Sequence, residues 1–180
     1  MAFTIQEFRG KALTKAGARA NLFEVKLLET PQIAGLDKDE FRFACKAAAI
    51  PPMTIGTIDV PYFGRVVKVP GNKTFENWTV TIINDEGFAI RNGFERWVAQ
   101  MSTHVGNKMT TTPTALYGDA TVKQYGKTAS DTAIAEYKFK NIFPVSVSEI
   151  TLGWGENDTI EEFTVEFAYD YWTHTGVAVT

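Results

Sequence analysis

The stretch ENWTVTIINDEGFAIRNGFERW, residues 76–97, contains the change of pattern that decides the fold. In its first half Trp78, Val80 and Ile82 alternate with threonines and a second isoleucine. Side chains of a β-strand point to opposite faces in turn, so this alternation predicts a half-buried strand over 76–85. An Asn-Asp-Glu-Gly cluster then indicates a turn.

The second half of the stretch has helical spacing. Apolar side chains recur every three or four residues after the turn, which predicts an amphipathic α-helix over about 87–103. Asn84 or Asp85 is a suitable N-cap, because a short polar side chain there can accept from the first free N–H groups. Arg91 and Glu95 are spaced to pair across one turn of the solvent-exposed face.

Period-two alternation extends through much of the remaining chain. The further strands are predicted at 21–29, 40–47, 120–126, 133–144, 145–153 and 159–172. In the second of these, Phe41, Phe43 and Cys45 alternate toward the core. The pattern predicts a single domain over 1–180, mainly β, an antiparallel β-sandwich or partial barrel with one α-helix. Such a sheet has edges whose unpaired backbone groups invite a neighbouring strand.

Three segments are predicted to extend from this domain. Residues 55–69 are rich in β-branched side chains and contain Pro61 and Gly64, which suits a projecting β-arm better than a central strand. Residues 1–20 are predicted to form a basic N-terminal arm, and residues 173–180 a short tail.

Composition argues against several functional classes. The 18 basic and 21 acidic residues give a net charge of -3, so the chain has no general surface for gripping nucleic acid. The lone cysteine, Cys45, can form no intramolecular disulfide, and His104 and His174 have no third ligand at metal spacing. No apolar run is long enough for a membrane helix. We expect no catalytic, metal or cofactor site; a ligand-binding β-barrel and an enzyme are the weaker alternatives.

Three segments together resemble the tail tube protein of contractile-tailed bacteriophages. They are RANLFEVKL at 19–27, NKTFENWTVTIINDEGFAIRNGFERW at 72–97 and IEEFTVEFAYDYW at 160–172, the last preceded by WGEND at 154–158. TPQIAGLDKDE at 30–40 and the residues after Trp172 depart from the shorter members.

The resemblance implies a structural virion protein rather than an enzyme. Its subunits would form hexameric rings with a closed inner β-barrel, stacked as a tube inside a tail sheath and in contact with baseplate, tail terminator and tape-measure proteins. Double-stranded DNA would pass through without specific binding, and assembly would take place in the host cytoplasm. The alternative is the tube of a contractile injection or type VI secretion device that delivers protein effectors.

Two sets of residues are candidates for assembly. The arm would contact a neighbouring subunit or ring through apolar anchors and polar partners, namely Tyr62, Phe63, Val66, Arg65 and Lys68. Residues 156–180 contain six acids and no Lys or Arg. Because a conduit must not hold DNA, Glu161, Glu166 and Asp170 are predicted to face the lumen or a subunit seam.

Overall fold

The computed structural model describes residues 4–11, 13, 17–31, 36–127 and 132–176. Within these residues the helices are α1 (Ile5–Lys11), α2 (Lys38–Ala44) and α3 (Ala89–Met101), with a 3₁₀ turn at Pro113–Ala115. The strands are β1 (Phe23–Glu29), β2 (Cys45–Ala48), β3 (Thr54–Tyr62), β4 (Arg65–Thr74), β5 (Trp78–Ile83), β6 (Gly118–Tyr125), β7 (Ala133–Val147), β8 (Glu162–Ala168) and β9 (Tyr171–His174). Parts of the predicted N-terminal arm and C-terminal tail lie outside the described residues.

Seven strands form one antiparallel sheet in the order β1-β6-β7-β8-β5-β2, with β9 also pairing with β7. The long β7 belongs to both halves: residues from Ala133 to Ile142 pair with β6, and residues from Phe143 to Val147 pair with β8. The described sheet is therefore open, with β1 and β2 at its two ends. The mainly β, antiparallel prediction is confirmed, and the protomer by itself is not a closed barrel.

The sheet bends where β7 and the β8–β9 segment pass from one half to the other. Asn141 lies at this bend with a φ of 56°, a left-handed conformation that asparagine tolerates better than most residues. Asp170 lies between β8 and β9, and its backbone N–H donates to the Lys140 carbonyl over 3.1 Å. The bend brings the two halves face to face across the core.

Aromatic side chains fill the space between the two halves. Trp78 from β5 stacks on Phe139 from β7 with ring centroids 4.4 Å apart. Helix α3 closes this space, with Phe94 edge-on to Phe167 at 5.7 Å. The indole of Trp97 is fully buried and donates from Nε1 to the Leu116 carbonyl over 2.8 Å. Burial of several large aromatics supplies much of the free energy that holds the halves together.

Helix α3 confirms the predicted change of period and shows how its start is capped. Phe88 occupies the N-cap position with a φ of 52° and has no side-chain cap bond. Asp85 serves instead, accepting from the backbone N–H of Ala89 over 2.9 Å and of Ile90 over 3.3 Å. On the outer face, Nε of Arg91 and Oε1 of Glu95 are 2.9 Å apart, as predicted.

The prediction of a single helix was wrong, because 40–47 is mostly helical. Asp37 caps α2 by accepting from the backbone N–H of Asp39 over 2.8 Å. Phe41 is buried, but Phe43 points to solvent, 77% exposed. The core-facing residues are Phe41, Ala44 and Cys45. Ala44 and Cys45 follow Phe41 by three and four residues, which is the spacing of one helix face, although Phe41, Phe43 and Cys45 also fit the alternation of a strand.

The predicted strand over 145–153 was also wrong. Pro144 lies inside β7 rather than between two strands, and a register shift follows it between Pro144 and Ser146. A bulge of this kind accommodates a residue that has no N–H to donate. Residues 148–161 are loop, and the predicted strand over 159–172 is divided at residues 169–170 into β8 and β9.

Candidate assembly surface

Strands β3 and β4 form a two-stranded sheet that is hydrogen-bonded only to itself. Every residue of the pair is exposed except Gly71, which is half-buried. The exposed apolar side chains are Ile55, Ile58, Val60, Tyr62, Val66, Val67 and Val69. An isolated hairpin is marginally stable in water, and monomeric surfaces seldom expose so continuous an apolar patch. This hairpin, residues 54–74, therefore exposes a more continuous apolar surface than monomeric proteins usually do.

The tip of the hairpin is a two-residue turn. Phe63 and Gly64 have φ values of 42° and 76°, the combination that a tight type I′ turn requires. Glycine adopts this conformation freely, whereas phenylalanine does so at a cost. The Phe63 ring packs edge-on against Tyr62 with centroids 4.6 Å apart and is 91% exposed. The chain thus holds a large aromatic ring at the outermost point of the hairpin.

The strand register divides the predicted interface residues between the two faces of the hairpin. Tyr62 pairs directly with Arg65, so these two side chains share one face. Val66 pairs with Pro61 and Lys68 with Asp59 on the opposite face. The structure therefore brings Tyr62 and Arg65 together and separates them from Val66 and Lys68.

Sequence reasoning missed the main apolar face. Ile58 pairs with Val69 and Val60 with Val67 on the same side as Tyr62. We call this the apolar face: Ile58, Val60, Tyr62, Val67 and Val69. Alternation along each strand was the signal that would have identified it, since the polar Thr57 and Asp59 occupy the intervening positions.

The three candidate acids lie apart, and each accepts a hydrogen bond from an asparagine. Glu161 precedes β8 and accepts from Nδ2 of Asn84 over 2.9 Å. Glu166 lies within β8 and accepts from Nδ2 of Asn77, also over 2.9 Å. The third acid, Asp170, follows β8 and accepts from an asparagine of β7. The acids are thus distributed along β8 instead of forming one cluster.

Glu166 belongs to the outer face of the β5–β8 half of the sheet. We call this the hydroxyl face; its polar members are Lys46, Thr79, Thr81, Ser146, Glu162, Thr164 and Glu166. The cross-strand pairs that define it include Thr79 with Glu166 and Thr81 with Thr164. Lys46 Nζ lies 2.5 Å from Oε1 of Glu162, which leaves Glu166 as the uncompensated charge of this face.

The outer face of the other half is more basic. We call it the lysine face; its ionised members are Glu24, Lys26, Glu29, Asp119, Lys123, Glu136, Lys138 and Lys140, four lysines with four carboxylates. Lys123 and Lys138 both approach Glu136, at 3.6 and 3.9 Å, and Lys140 pairs with Asp119. The hydrogen bond that Lys140 donates to the Asp119 carboxylate raises the pKa of Lys140, so that lysine remains charged.

Glu24 is the buried centre of this network. Its carboxylate pairs with Arg42 and, at 3.3 Å, with Lys26, and it accepts from the Tyr125 hydroxyl over 2.5 Å. Burial alone would raise the pKa of Glu24, but the hydrogen bonds from Tyr125 and Lys26 and the two cationic charges outweigh it, so the pKa is lowered. The same hydrogen bond raises the pKa of Tyr125 to about 12.

The described residues contain no group of three or more His, Cys, Asp and Glu side chains that could hold a metal ion. None of their helices is both long and apolar enough to cross a membrane. Burial raises the pKa of the Cys45 thiol to about 12, which disfavours the reactive thiolate.

The end strands of an open sheet and an exposed apolar hairpin are surfaces on which another chain can pair or pack. The chain belongs to the phage tail tube protein family, whose model, described as "Phage tail tube protein", matches residues 18–175. It is 36% identical over 156 residues to the tail tube protein gp19 of Enterobacteria phage T4, covering 86% of this chain and 90% of that one. With the tail tube protein of Serratia phage KSP90 it shares 25% identity over 171 residues, covering 92% and 94%. These relatives are structural tail proteins, not enzymes.

Solved structures share the fold. The sheath–tube complex of an extracellular contractile injection system in its extended state gives a TM-score of 0.64 at 13% identity, covering 97% of this chain and 99% of that chain. The anti-feeding prophage baseplate gives a TM-score of 0.66 at 12% identity, covering 91% and 99%. At these identities the likeness concerns the fold alone.

Proposed function

We propose that the chain assembles into hexameric rings that stack as the inner tube of a contractile tail, and that DNA is ejected through this tube. The observation that carries the proposal is the combination of an open sheet with a detached apolar hairpin, in a chain 36% identical to a phage tail tube protein. Sheath protein would surround the tube, with baseplate, terminator and tape-measure proteins as further partners. Assembly would take place in the host cytoplasm, and the product would be part of the virion.

Ring closure follows from the sheet edges. β1 and β2 lie at the two ends of the strand order, and each pairs with only one other strand of the described sheet. A head-to-tail contact between β1 of one copy and β2 of the next would satisfy both edges and repeat around a ring. A closed inner barrel would then be a property of the ring and not of the protomer.

The hairpin would supply the second contact, to a neighbouring subunit or ring. Its apolar face would be covered by the neighbour, with Tyr62 and Phe63 as aromatic anchors and Arg65 beside them. Val66 and Lys68, on the opposite face, would meet a second surface. Desolvated aromatic side chains at the centre of an interface are the usual source of its binding energy.

Paired substitutions in the hairpin test this contact. Phe63→Asn keeps a residue suited to the left-handed turn while removing the ring, and Val60→Thr with Val67→Thr makes the apolar face polar. Both should leave the protomer folded by circular dichroism and abolish or shorten tubes in negative-stain microscopy. Thr57→Ser, on the opposite face, is the matched control. Tubes of normal length from both hairpin variants would rule the contact out.

We further propose that the hydroxyl face lines the lumen. It contains four hydroxyl side chains and a net charge of -1 from Lys46, Glu162 and Glu166. The four lysines and four carboxylates of the lysine face sum to zero, and Arg42 of α2 adds one cation beside Glu24. A positive wall would bind phosphates and retard DNA, while a neutral to acidic wall lets it slide. Glu166 would face the DNA, and Glu161 and Asp170, at the two ends of β8, would face subunit seams.

Charge reversal on the two faces distinguishes them. Assembled tubes carrying Glu166→Lys should acquire DNA binding at low salt that disappears as salt is raised, because each new cation neutralises phosphates. Glu136→Lys on the lysine face should add little if that face is covered by other protein. Salt-sensitive DNA binding by unmodified tubes would contradict the acidic lumen.

The alternative cargo is a protein effector, as in a contractile injection or type VI secretion device. The structures with which this chain shares its fold include injection-system tubes, but at 12–16% identity. The 36% identity to a phage protein favours the DNA conduit. Virions that package and eject DNA normally after loss of this protein would contradict the proposal that the tube conducts DNA.

A further inference from the structure

The apolar side chains of helix α1 are exposed to solvent. It has seven residues, Ile5–Lys11, and none of them is buried. Ile5 and Phe8, three positions apart and so on one side, are 76% and 59% exposed. Helices this short are marginal in water and depend on packing of an apolar side for stability. The sequence thus contains an amphipathic helix whose apolar side is exposed in the part of the chain that the structure describes.

The loop between β7 and β8 offers a surface of the opposite character. We call residues 148–161 the acidic loop. Together with the start of β8 it encloses a cleft of about 530 Å³ whose lining includes Ile150, Leu152 and Ile160. Trp154, in the same loop, is fully exposed, and Leu152 and Ile160 are largely so.

The charges around the two surfaces are complementary. Residues 149–162 include five acids and no Lys or Arg, and four of the acids, Glu149, Glu156, Glu161 and Glu162, line the cleft. Among the described ion pairs only Glu162 of these has a cation, Lys46. Between Glu7 and Glu24 the chain has four basic residues and no acidic one, and Arg9 and Lys11 end the helix itself.

We propose that α1 of one copy docks into the acidic-loop cleft of a neighbouring copy. Ile5 and Phe8 would enter against Leu152, Trp154 and Ile160, with Arg9 and Lys11 beside the carboxylates at the rim. A second copy is the occupant because every residue of α1 is exposed on its own chain, so its own cleft does not hold it. The contact deepens the proposed self-assembly and rests on it.

Cross-linking between differently substituted copies tests the contact. In a Cys45→Ser background, chains carrying Phe8→Cys are mixed with chains carrying Trp154→Cys, assembled and oxidised. We expect a disulfide-linked dimer of the two chain types on a non-reducing gel. Val105→Cys, fully exposed in a different loop, replaces Trp154→Cys in the matched control and should give no such dimer.

A charge swap provides an independent readout. Arg9→Glu with Lys11→Glu should raise several-fold the protein concentration needed for tube formation, and adding Glu149→Lys with Glu156→Lys should restore it. Rescue by the second pair supports direct contact, since a merely destabilised helix would not be rescued. Failure of the rescue, or assembly of the reversed helix at the parental concentration, overturns the proposal.

The outcomes also separate this contact from the tube itself. Normal tubes in which Phe8→Cys and Trp154→Cys chains fail to cross-link would overturn the docking while leaving the tube intact. Cross-linked particles that form no rings or tubes would support the docking and overturn the proposed function.

Discussion

The side chain of Asn141 donates from Nδ2 to Oδ2 of Asp170 over 2.5 Å, joining the two points at which the chain passes between the halves of the sheet. Asn141 has a φ of 56°, and Asp170 also binds back through its own N–H to the neighbouring Lys140 carbonyl. One asparagine therefore fulfils two requirements, a left-handed backbone and a side-chain donor at the bend.

Substitutions at Asn141 should separate these two requirements. Asn141→Gly removes the hydrogen bond to Asp170 and keeps a residue that adopts the left-handed conformation freely. Asn141→Ala removes the same hydrogen bond and also places a Cβ in the left-handed region. We expect the alanine variant to be less stable than the glycine variant by about 1 kcal/mol in urea unfolding. Equal stabilities would show that the backbone conformation relaxes without cost.

Phe41 and Phe43 should respond very differently to truncation, because α2 is a helix. Phe41 is buried against Phe94, with ring centroids 5.7 Å apart, and Phe41→Ala should cost about 3–5 kcal/mol of unfolding free energy. Phe43 contacts only the Arg42 guanidinium among the described ring contacts, and Phe43→Ala should cost about 0.5–1 kcal/mol. Comparable losses at both positions would instead indicate the strand predicted from the alternation.

Gly118 lies where β6 passes close beneath β1. A Cβ at this position would overlap the Glu29 carbonyl oxygen and come within 3.1 Å of the Trp97 ring. Gly118→Ala should therefore destabilise the protein by about 1–3 kcal/mol, measured as the shift of the urea midpoint. Gly155→Ala is the matched control, since a Cβ there meets nothing within 4 Å.

The hydrogen bond between Tyr125 and Glu24 should make stability depend on alkaline pH. The folded protein holds the pKa of Tyr125 at about 12, above the value of about 10 for an unperturbed tyrosine. The stabilisation is therefore complete below about pH 10 and is lost as pH rises toward 12. Unfolding free energies of the parent and of Tyr125→Phe should differ at pH 8 and converge by pH 12.

A control on another tyrosine checks that this effect is specific. Tyr117→Phe, which removes a hydroxyl that makes no hydrogen bond to the described residues, is the matched control. A constant gap between the parent and Tyr125→Phe from pH 8 to 12 would mean that the hydroxyl does not titrate with folding.

Sequence periodicity predicted the elements whose pattern is set by one buried face. The strand beginning at Trp78 and the helix α3 each bury one side against the core, so alternation or helical spacing was visible. Around Phe41 the apolar residues fit both the two-residue period of a strand and the spacing of a helix. The feature that favours the helix is the N-cap, in which the Asp37 side chain accepts from the backbone N–H two residues ahead. Local spacing could not resolve that choice.

The candidate site was predicted less completely, for a different reason. The position of the hairpin was readable from Pro61 and Gly64, but which residues share a face depends on the register between β3 and β4. Register is fixed by the turn at Phe63, whose left-handed backbone is unusual for an aromatic residue. The asparagine partners of the three acids join strands distant in sequence, and no spacing rule connects them.

The hairpin formed by β3 and β4 also determines whether the two ends of the proposed tube are equivalent. In the proposed tube the apolar face of one hairpin is covered by a different surface of the neighbouring copy, so this contact joins unlike surfaces of successive copies. A polymer built in this way is polar: one terminus always presents free hairpins and the other always presents empty receptors. The two termini would then add subunits at different rates and bind different capping proteins, although every subunit in between is identical.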